Sequence, residues 1–219
     1  MDAKNDILNT CLKHFLQHGI RKMSNEKLVA LLGISTKTIY KYFENKEKLL
    51  EEALHLYHDQ RYEMLQNLPA DQNEACLLFD MWRVAIETEP KVSELFYQDL
   101  DYYYPKLAQK VELSISKKFS DKFIEIIKRG IGTKVFRNDI NPELVLEGIY
   151  ALYVSVVRNQ QEQFKNLSAS SFEVVLNTMG VYFRGFCTAD GIERLDQHIA
   201  QCKASQKKKN GKKQALTNA

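Results

Sequence analysis

Five side chains on one short stretch, Thr36, Lys37, Thr38, Tyr40 and Lys41, carry the chemistry most readily read from this chain. Two hydroxyls, two ammonium groups and a phenol, with no acid among them, suit phosphate oxygens, base edges and thymine methyls. Ile39 and Phe43 interrupt that set at i, i+4 spacing and face the opposite way. A helix with this division of faces can lie on a protein body and present its polar side to nucleic acid. To do so it must stand proud of that body, so the elements on either side decide whether the reading holds.

Those elements are legible. Ser24 is an N-cap for a helix over 25–32, because its hydroxyl can take an orphan backbone N–H. Leu28, Leu31 and Leu32 make one buried stripe on it. Gly33 can adopt the left-handed conformation that ends a helix, Ile34 plugs the space between the two helices, and Ser35 caps the next helix over 36–42. Two short helices about a tight turn are a helix-turn-helix, whose second helix enters a DNA major groove. Ser24, Ser35 and Tyr42 join the five outward residues as candidate DNA contacts. Asn45 caps the following helix, and Lys46 stands in its first turn. A lysine is unfavourable beside the positive end of a helix dipole, but a phosphate held there by backbone N–H groups would reconcile it. Upstream, Ile7, Leu8, Cys11, Leu12, Phe15 and Leu16 form the apolar face of a first helix that ends at His18-Gly19.

The run Ile7-Leu8, Phe15, Gly19, Met23-Ser24, Leu28-Val29-Ala30, Gly33-Ile34-Ser35, Thr38-Ile39-Tyr40-Lys41-Tyr42-Phe43, Lys46-Glu47 and Leu49-Leu50 resembles the N-terminal domain of the TetR family of transcriptional regulators. The family pattern often has Thr where this chain has Met23-Ser24, and Gly or Ala at the position of Lys37 or Thr38. The resemblance implies an all-α protein of about nine helices, with a DNA-binding domain at 1–50. A larger helical domain at 51–200 would bind a ligand and form the dimer, followed by a basic tail at 201–219.

Composition agrees with a protein that docks on DNA through one end. Residues 1–50 hold nine Lys/Arg against five Asp/Glu, and residues 201–219 hold six Lys and no acid. With a total of only +3, the stretch 51–200 is left acidic. The polar start, Met1-Asp2-Ala3-Lys4-Asn5-Asp6, predicts no secretion signal, and no apolar run approaches the roughly 20 residues of a membrane span. A cytoplasmic protein is expected. Cys11, Cys76, Cys187 and Cys202 lack a C-x-x-C pairing and read as thiols in a reducing compartment.

Beyond residue 50 the pattern is helical throughout. Helices are expected from 45 to 67, from an Asp71/Glu74 capping box to Thr88, from Glu89-Pro90 to Tyr102, and from Pro105 to Gly130. Two more run from Asn141-Pro142 to Phe164 and from Ser168 to Gly185. Residues 144–157 are apolar on nearly all sides, as a helix buried all round would be. A second subunit would supply the missing cover, and the resemblance implies a four-helix dimer interface from these last two helices. Leu152, Val156, Phe172, Leu176, Met179 and Phe183 are its candidate residues. The aromatics of the central helices read mostly as core, with several phenols and the single Trp able to line an apolar pocket with polar handles. The resemblance implies an inducer pocket there, and Trp82, Phe96, Tyr103, Phe123, Tyr150 and Tyr153 are its candidates.

Other signals are weak. His14/His18 and His55/His58 have helical spacing but no evident third ligand, so no metal site is expected. Asp99 and Asp101 stand two apart on a helix and read as a solvated face. The chain has no G-x-S-x-G, P-loop or G-x-G-x-x-G, so neither an enzyme nor a cofactor is expected. The lysine-rich tail from Lys203 to Lys213 is expected to be disordered, and either solubilises the chain or attracts phosphates. The functional expectation is a homodimeric repressor bound to a palindromic operator and released by a small apolar or aromatic ligand. An activator, a partner-controlled regulator, and a helical carrier or enzyme with a vestigial DNA-binding head stay open.

Overall fold

The computed structural model describes residues 3–69, 72–88, 92–159 and 171–217. They form α1 (Ala3–His18), α2 (Asn25–Leu32), α3 (Thr36–Tyr42), α4 (Lys46–Gln66), α5 (Glu74–Thr88) and α6 (Glu94–Tyr103). There follow α7 (Pro105–Gly132), α8 (Pro142–Asn159), α9 (Ser171–Asn177), α10 (Met179–Phe186) and α11 (Ala189–Thr217). The fold is all-α; the extended pairing among the described residues is a lone bridge between Phe136 and Cys187.

The chain folds into two compact units, residues 1–67 with 84–121, and residues 68–83 with 122–219. The boundary expected at residue 50 runs through the first of these. The reason is its core: Phe15, Leu28, Ile39, Phe43, Leu49 and Leu50 share one apolar cluster with Phe96 of α6 and Leu107 and Val111 of α7. The helix-turn-helix thus lacks a complete core of its own.

In the second unit α5 is buried at every position from Glu74 to Trp82. The helix at 144–157 was expected to be covered in part by a second subunit, and the single chain buries only part of it. On α8, Val145 and Ile149 are buried while Leu144 is 71% exposed and Tyr150 48% exposed. Buried Glu74 is held by Arg129 Nε at 2.8 Å and Thr133 Oγ1 at 3.0 Å. These bonds repay the desolvation of its charge.

Several helix ends differ from expectation. Asn73 caps α5, its Oδ1 accepting from the N–H groups of Ala75 and Cys76 at 3.0 and 3.1 Å, while the expected cap Asp71 lies outside the described residues. Ser93 opens α6, accepting from the Leu95 N–H, while Glu89-Pro90 lies outside the described residues. The helix expected to end at Gly185 is broken at Thr178 into α9 and α10. A further helix, α11, follows, anchored by buried Leu195 and Ile199. It continues to Thr217, so the tail expected to be disordered is helical. Lys, Gln and Ala are strong helix formers and can extend a helix once its first turns are packed.

Candidate nucleic-acid interface

The helix-turn-helix is built by its caps. Ser24 is extended and its hydroxyl accepts from the Lys27 N–H at 3.4 Å. Gly33 is left-handed, with φ at +64°, and its N–H closes α2 onto the Val29 carbonyl. Ser35 Oγ accepts from the Thr38 N–H at 3.1 Å and lies 2.9 Å from Thr38 Oγ1. Asn45 Oδ1 accepts from the Lys48 N–H at 2.8 Å to open α4. Ile39 and Phe43 are buried, which fixes the rotation of α3.

That rotation leaves Thr36, Lys37, Tyr40 and Lys41 exposed. Thr38 and Tyr42 are half-buried, Thr38 tied to its cap and Tyr42 lying 5.8 Å from the Lys41 ammonium. The Tyr40 hydroxyl accepts from Asn25 Nδ2 at 2.6 Å and so braces α3 against the start of α2. Asn25 was not singled out from sequence, although its position beside the Ser24 cap was visible.

Lys46 is placed differently from a free phosphate anchor. It is half-buried, and its Nζ donates to the Ile20 carbonyl at 3.0 Å. Burial pulls its pKa down, while Asp99 and Glu26 push it up. The Asn45 cap and the α4 N–H groups keep their expected geometry, but this ammonium braces the α1–α2 turn.

The same turn is tied to α6. The Arg21 N–H donates to Asp99 Oδ2 at 2.8 Å, and Arg21 Nη1 donates to the Tyr103 hydroxyl at 2.7 Å. The Ser93 N–H donates to the Leu16 carbonyl at 2.6 Å. Gly19 has φ at +83°, and a Cβ there would stand 2.9 Å from Asp99 Oδ2. Asp99 is therefore an organising acceptor and not part of a solvated face.

Of the six candidate ligand residues, the structure brings three together. Trp82 stacks on Phe123 at 5.3 Å between ring centres and meets Tyr153 at 5.0 Å. Trp82 is 6% exposed, and its Nε1 has no hydrogen-bond partner among the described residues. Phe96 belongs instead to the core of the first unit, packed on Tyr57 and Tyr97. Tyr103 lies on the surface under Arg21, and Tyr150 is half exposed. Their aromatic character was legible, but which way each faced was not.

Of the candidate dimer residues, Met179 and Phe183 are buried within their own unit, at 0% and 1% exposure. Their stripe points into the chain, while Val181 on the opposite flank of α10 is 61% exposed. Leu152 and Leu176 are half-buried. The side chains of Val156 and Phe172 lie outside the described residues. Among the described residues no helix is long and apolar enough to cross a membrane.

Comparison with known proteins agrees with this architecture. Residues 7–53 match the model of the bacterial regulatory proteins of the tetR family. No curated protein matches the chain significantly by sequence. Among solved structures, the fatty acid degradation regulator FadR from Bacillus halodurans is 19% identical with a TM-score of 0.64, over 84% of this chain and 95% of that chain. A transcriptional regulator from Cytophaga hutchinsonii ATCC 33406 is 19% identical with a TM-score of 0.67, over 84% and 98%. The ketosteroid transcriptional regulator KstR2 of Mycobacterium tuberculosis is 19% identical with a TM-score of 0.56, over 86% and 97%. Residues 7–53 thus carry the helix-turn-helix domain of the bacterial regulatory proteins of the tetR family, within an all-helical chain whose fold is similar to those solved regulators.

Proposed function

We propose that the chain is a homodimeric, cytoplasmic repressor that binds a palindromic operator and leaves it when a small apolar or aromatic ligand binds. The carrying observation is α3: capped by Ser35, rotated by buried Ile39, and exposing Thr36, Lys37, Tyr40 and Lys41 with no acid among them. In this reading Lys37 and Lys41 take phosphates or guanines, and Thr36 and Tyr40 meet base edges or methyls. Ser24, Ser35, Thr38 and Tyr42 hold the helix in register. Lys46 acts through the turn it braces, and the N–H groups of α4 take a phosphate. Residues 1–50 read DNA, while 51–200 sense ligand and pair.

Two observations support the finer parts. Leu144, Tyr150 and Val181 expose apolar surface on α8 and α10, where a second copy would cover it. Two recognition helices one DNA turn apart require such pairing. Phe123 and Tyr153 pack on Trp82, whose buried indole N–H has no partner among the described residues, so the favoured ligand has an apolar body and one hydrogen-bond acceptor. FadR is a regulator of fatty acid degradation and KstR2 a ketosteroid regulator, and ligands of that apolar kind suit this cluster. Binding would favour one spacing of the two heads and shift the population away from the DNA-competent one. The protein is a regulator and not an enzyme in this reading.

The test is anisotropy of a labelled palindromic duplex, obtained by selection, against bulk competitor DNA. The wild type should prefer the palindrome by at least 1,000-fold, within the usual specific range. Tyr40→Ala should lose most of that preference with the helical circular dichroism unchanged. Equal binding to all sequences would overturn the reading.

A further inference from the structure

We propose that Asp80, His198 and Cys202 form a binding site for a divalent cation of the zinc class. His198 and Cys202 are one turn apart on α11 and so lie one above the other on its surface. Asp80 projects from α5 in the same compact unit. His198 Nε2 is 2.9 Å from Asp80 Oδ2 and 3.6 Å from Cys202 Sγ. All three potential ligand atoms lie within 4.8 Å of one another.

A tetrahedral zinc with ligands at about 2.0–2.3 Å spaces its ligand atoms about 3.3–3.8 Å apart. The two distances from His198 Nε2, 2.9 and 3.6 Å, already lie close to that spacing, and the third pair is no more than 4.8 Å apart. Carboxylate oxygen, imidazole nitrogen and thiolate sulfur together suit zinc or cobalt better than magnesium or calcium, which prefer oxygen alone. Three protein ligands leave a fourth position for water.

The surroundings are built to hold these donors. Arg83 Nε binds Asp80 Oδ1 at 3.0 Å, orienting the carboxylate and leaving Oδ2 for the cation. Phe79 and the His198 ring pack T-shaped, with 6.2 Å between ring centres. Buried Leu195 and Ile199 fix α11 on either side of His198. Cys76, one turn from Asp80, is engaged with the Arg194 carbonyl at 3.6 Å and stands outside the set. The Asp80 side chain is 6% exposed and that of His198 19%, and Cys202 is half-buried, so a cation can enter from the α11 side. Without the cation, His198 and Asp80 pair with each other. Coordination would displace the His198 Nε2 proton and the Cys202 thiol proton to solvent.

The experiment titrates the tag-free, reduced full chain with Zn2+ and, separately, with Co2+. One equivalent of either should bind per chain, and Co2+ should produce thiolate-to-cobalt charge-transfer absorption. Cys202→Ser should abolish that absorption and weaken Zn2+ binding at least tenfold, and His198→Gln should weaken it similarly. His18→Ala, which removes one of the other closely spaced imidazoles, should change neither. Circular dichroism checks folding; if His198→Gln fails to fold, the half-buried Cys202→Ser decides. The proposal is overturned by no binding at micromolar metal, by charge-transfer absorption that survives Cys202→Ser, or by loss on His18→Ala.

Discussion

The backbone N–H of Arg21 donates to the carboxylate of Asp99, 78 residues away, at 2.8 Å. One side chain of α6 thereby holds the turn between α1 and the helix-turn-helix. Arg21 then returns to α6 through its guanidinium, which bonds the Tyr103 hydroxyl and lies 4.6 Å from that ring. Position and orientation of the DNA-reading helix are thus coupled to α6 through the same turn that Lys46 braces from α4.

Asp99→Ala should lower stability by about 1.5 kcal/mol, the low end of the range for a hydrogen bond to a charged acceptor, because the site is partly exposed. Asp99→Asn, which keeps an acceptor oxygen, should recover part of the loss. Urea unfolding of the two variants checks the order. Equal stability of Asp99→Ala and wild type would show that the contact does not hold the turn.

Gly19 and Gly33 both have positive φ but differ in their surroundings. Gly33→Ala meets open space and should cost only the left-handed strain, about 1–2 kcal/mol. Gly19→Ala adds a Cβ at 2.9 Å from Asp99 Oδ2 and 3.0 Å from Leu95 Cβ, so it should cost more. Thermal unfolding of both variants gives the comparison, and a larger drop for Gly33→Ala would contradict it.

Glu51 on α4 accepts from Lys110 of α7 at 2.5 Å and from Lys48 at 2.8 Å. These ammonium groups hold its pKa down at about 2, from an ordinary 4.5, chiefly through the Lys110 hydrogen bond. A depressed folded-state pKa gives stability that is present above 4.5 and lost as pH falls toward 2. The gap in melting temperature between wild type and Glu51→Gln should therefore be largest above pH 5 and close between pH 4.5 and 2. A gap that is independent of pH would contradict this.

Trp82 is the chain's single tryptophan, which makes its fluorescence a direct report on the proposed ligand site. A long-chain fatty acid or a steroid should shift and partly quench its emission with saturation, and Phe123→Ala should weaken that response at least tenfold. An emission unchanged by either class of ligand would remove this site from the proposal.

What the sequence revealed follows from the range of the forces involved. Ser24, Ser35, Asn45 and Asn141 each cap the helix they were expected to cap, because a cap is a contact within three residues. The burial of Ile39 and Phe43 followed from spacing on one helix. Distant contacts were not legible in this way. Asp99 looked like a solvated acid because its donor is 78 residues away. The Asp80–His198 pair joins residues 118 apart, so neither shows a ligand spacing in sequence. The facing of Phe96, Tyr103 and Met179 was equally set by which helices came together. No helix was expected at α11, although Ile192, Leu195 and Ile199 have helical spacing.

The central claim is that α3 reads a specific, two-fold symmetric DNA sequence. Selection of bound duplexes from a random DNA pool tests it most directly, using the full chain at physiological salt. One palindrome should be enriched, with half-sites one helical turn or a multiple of it apart, and the enrichment should be lost with Tyr40→Ala. A pool that stays random after repeated rounds, although the protein retains its helical content, would contradict it.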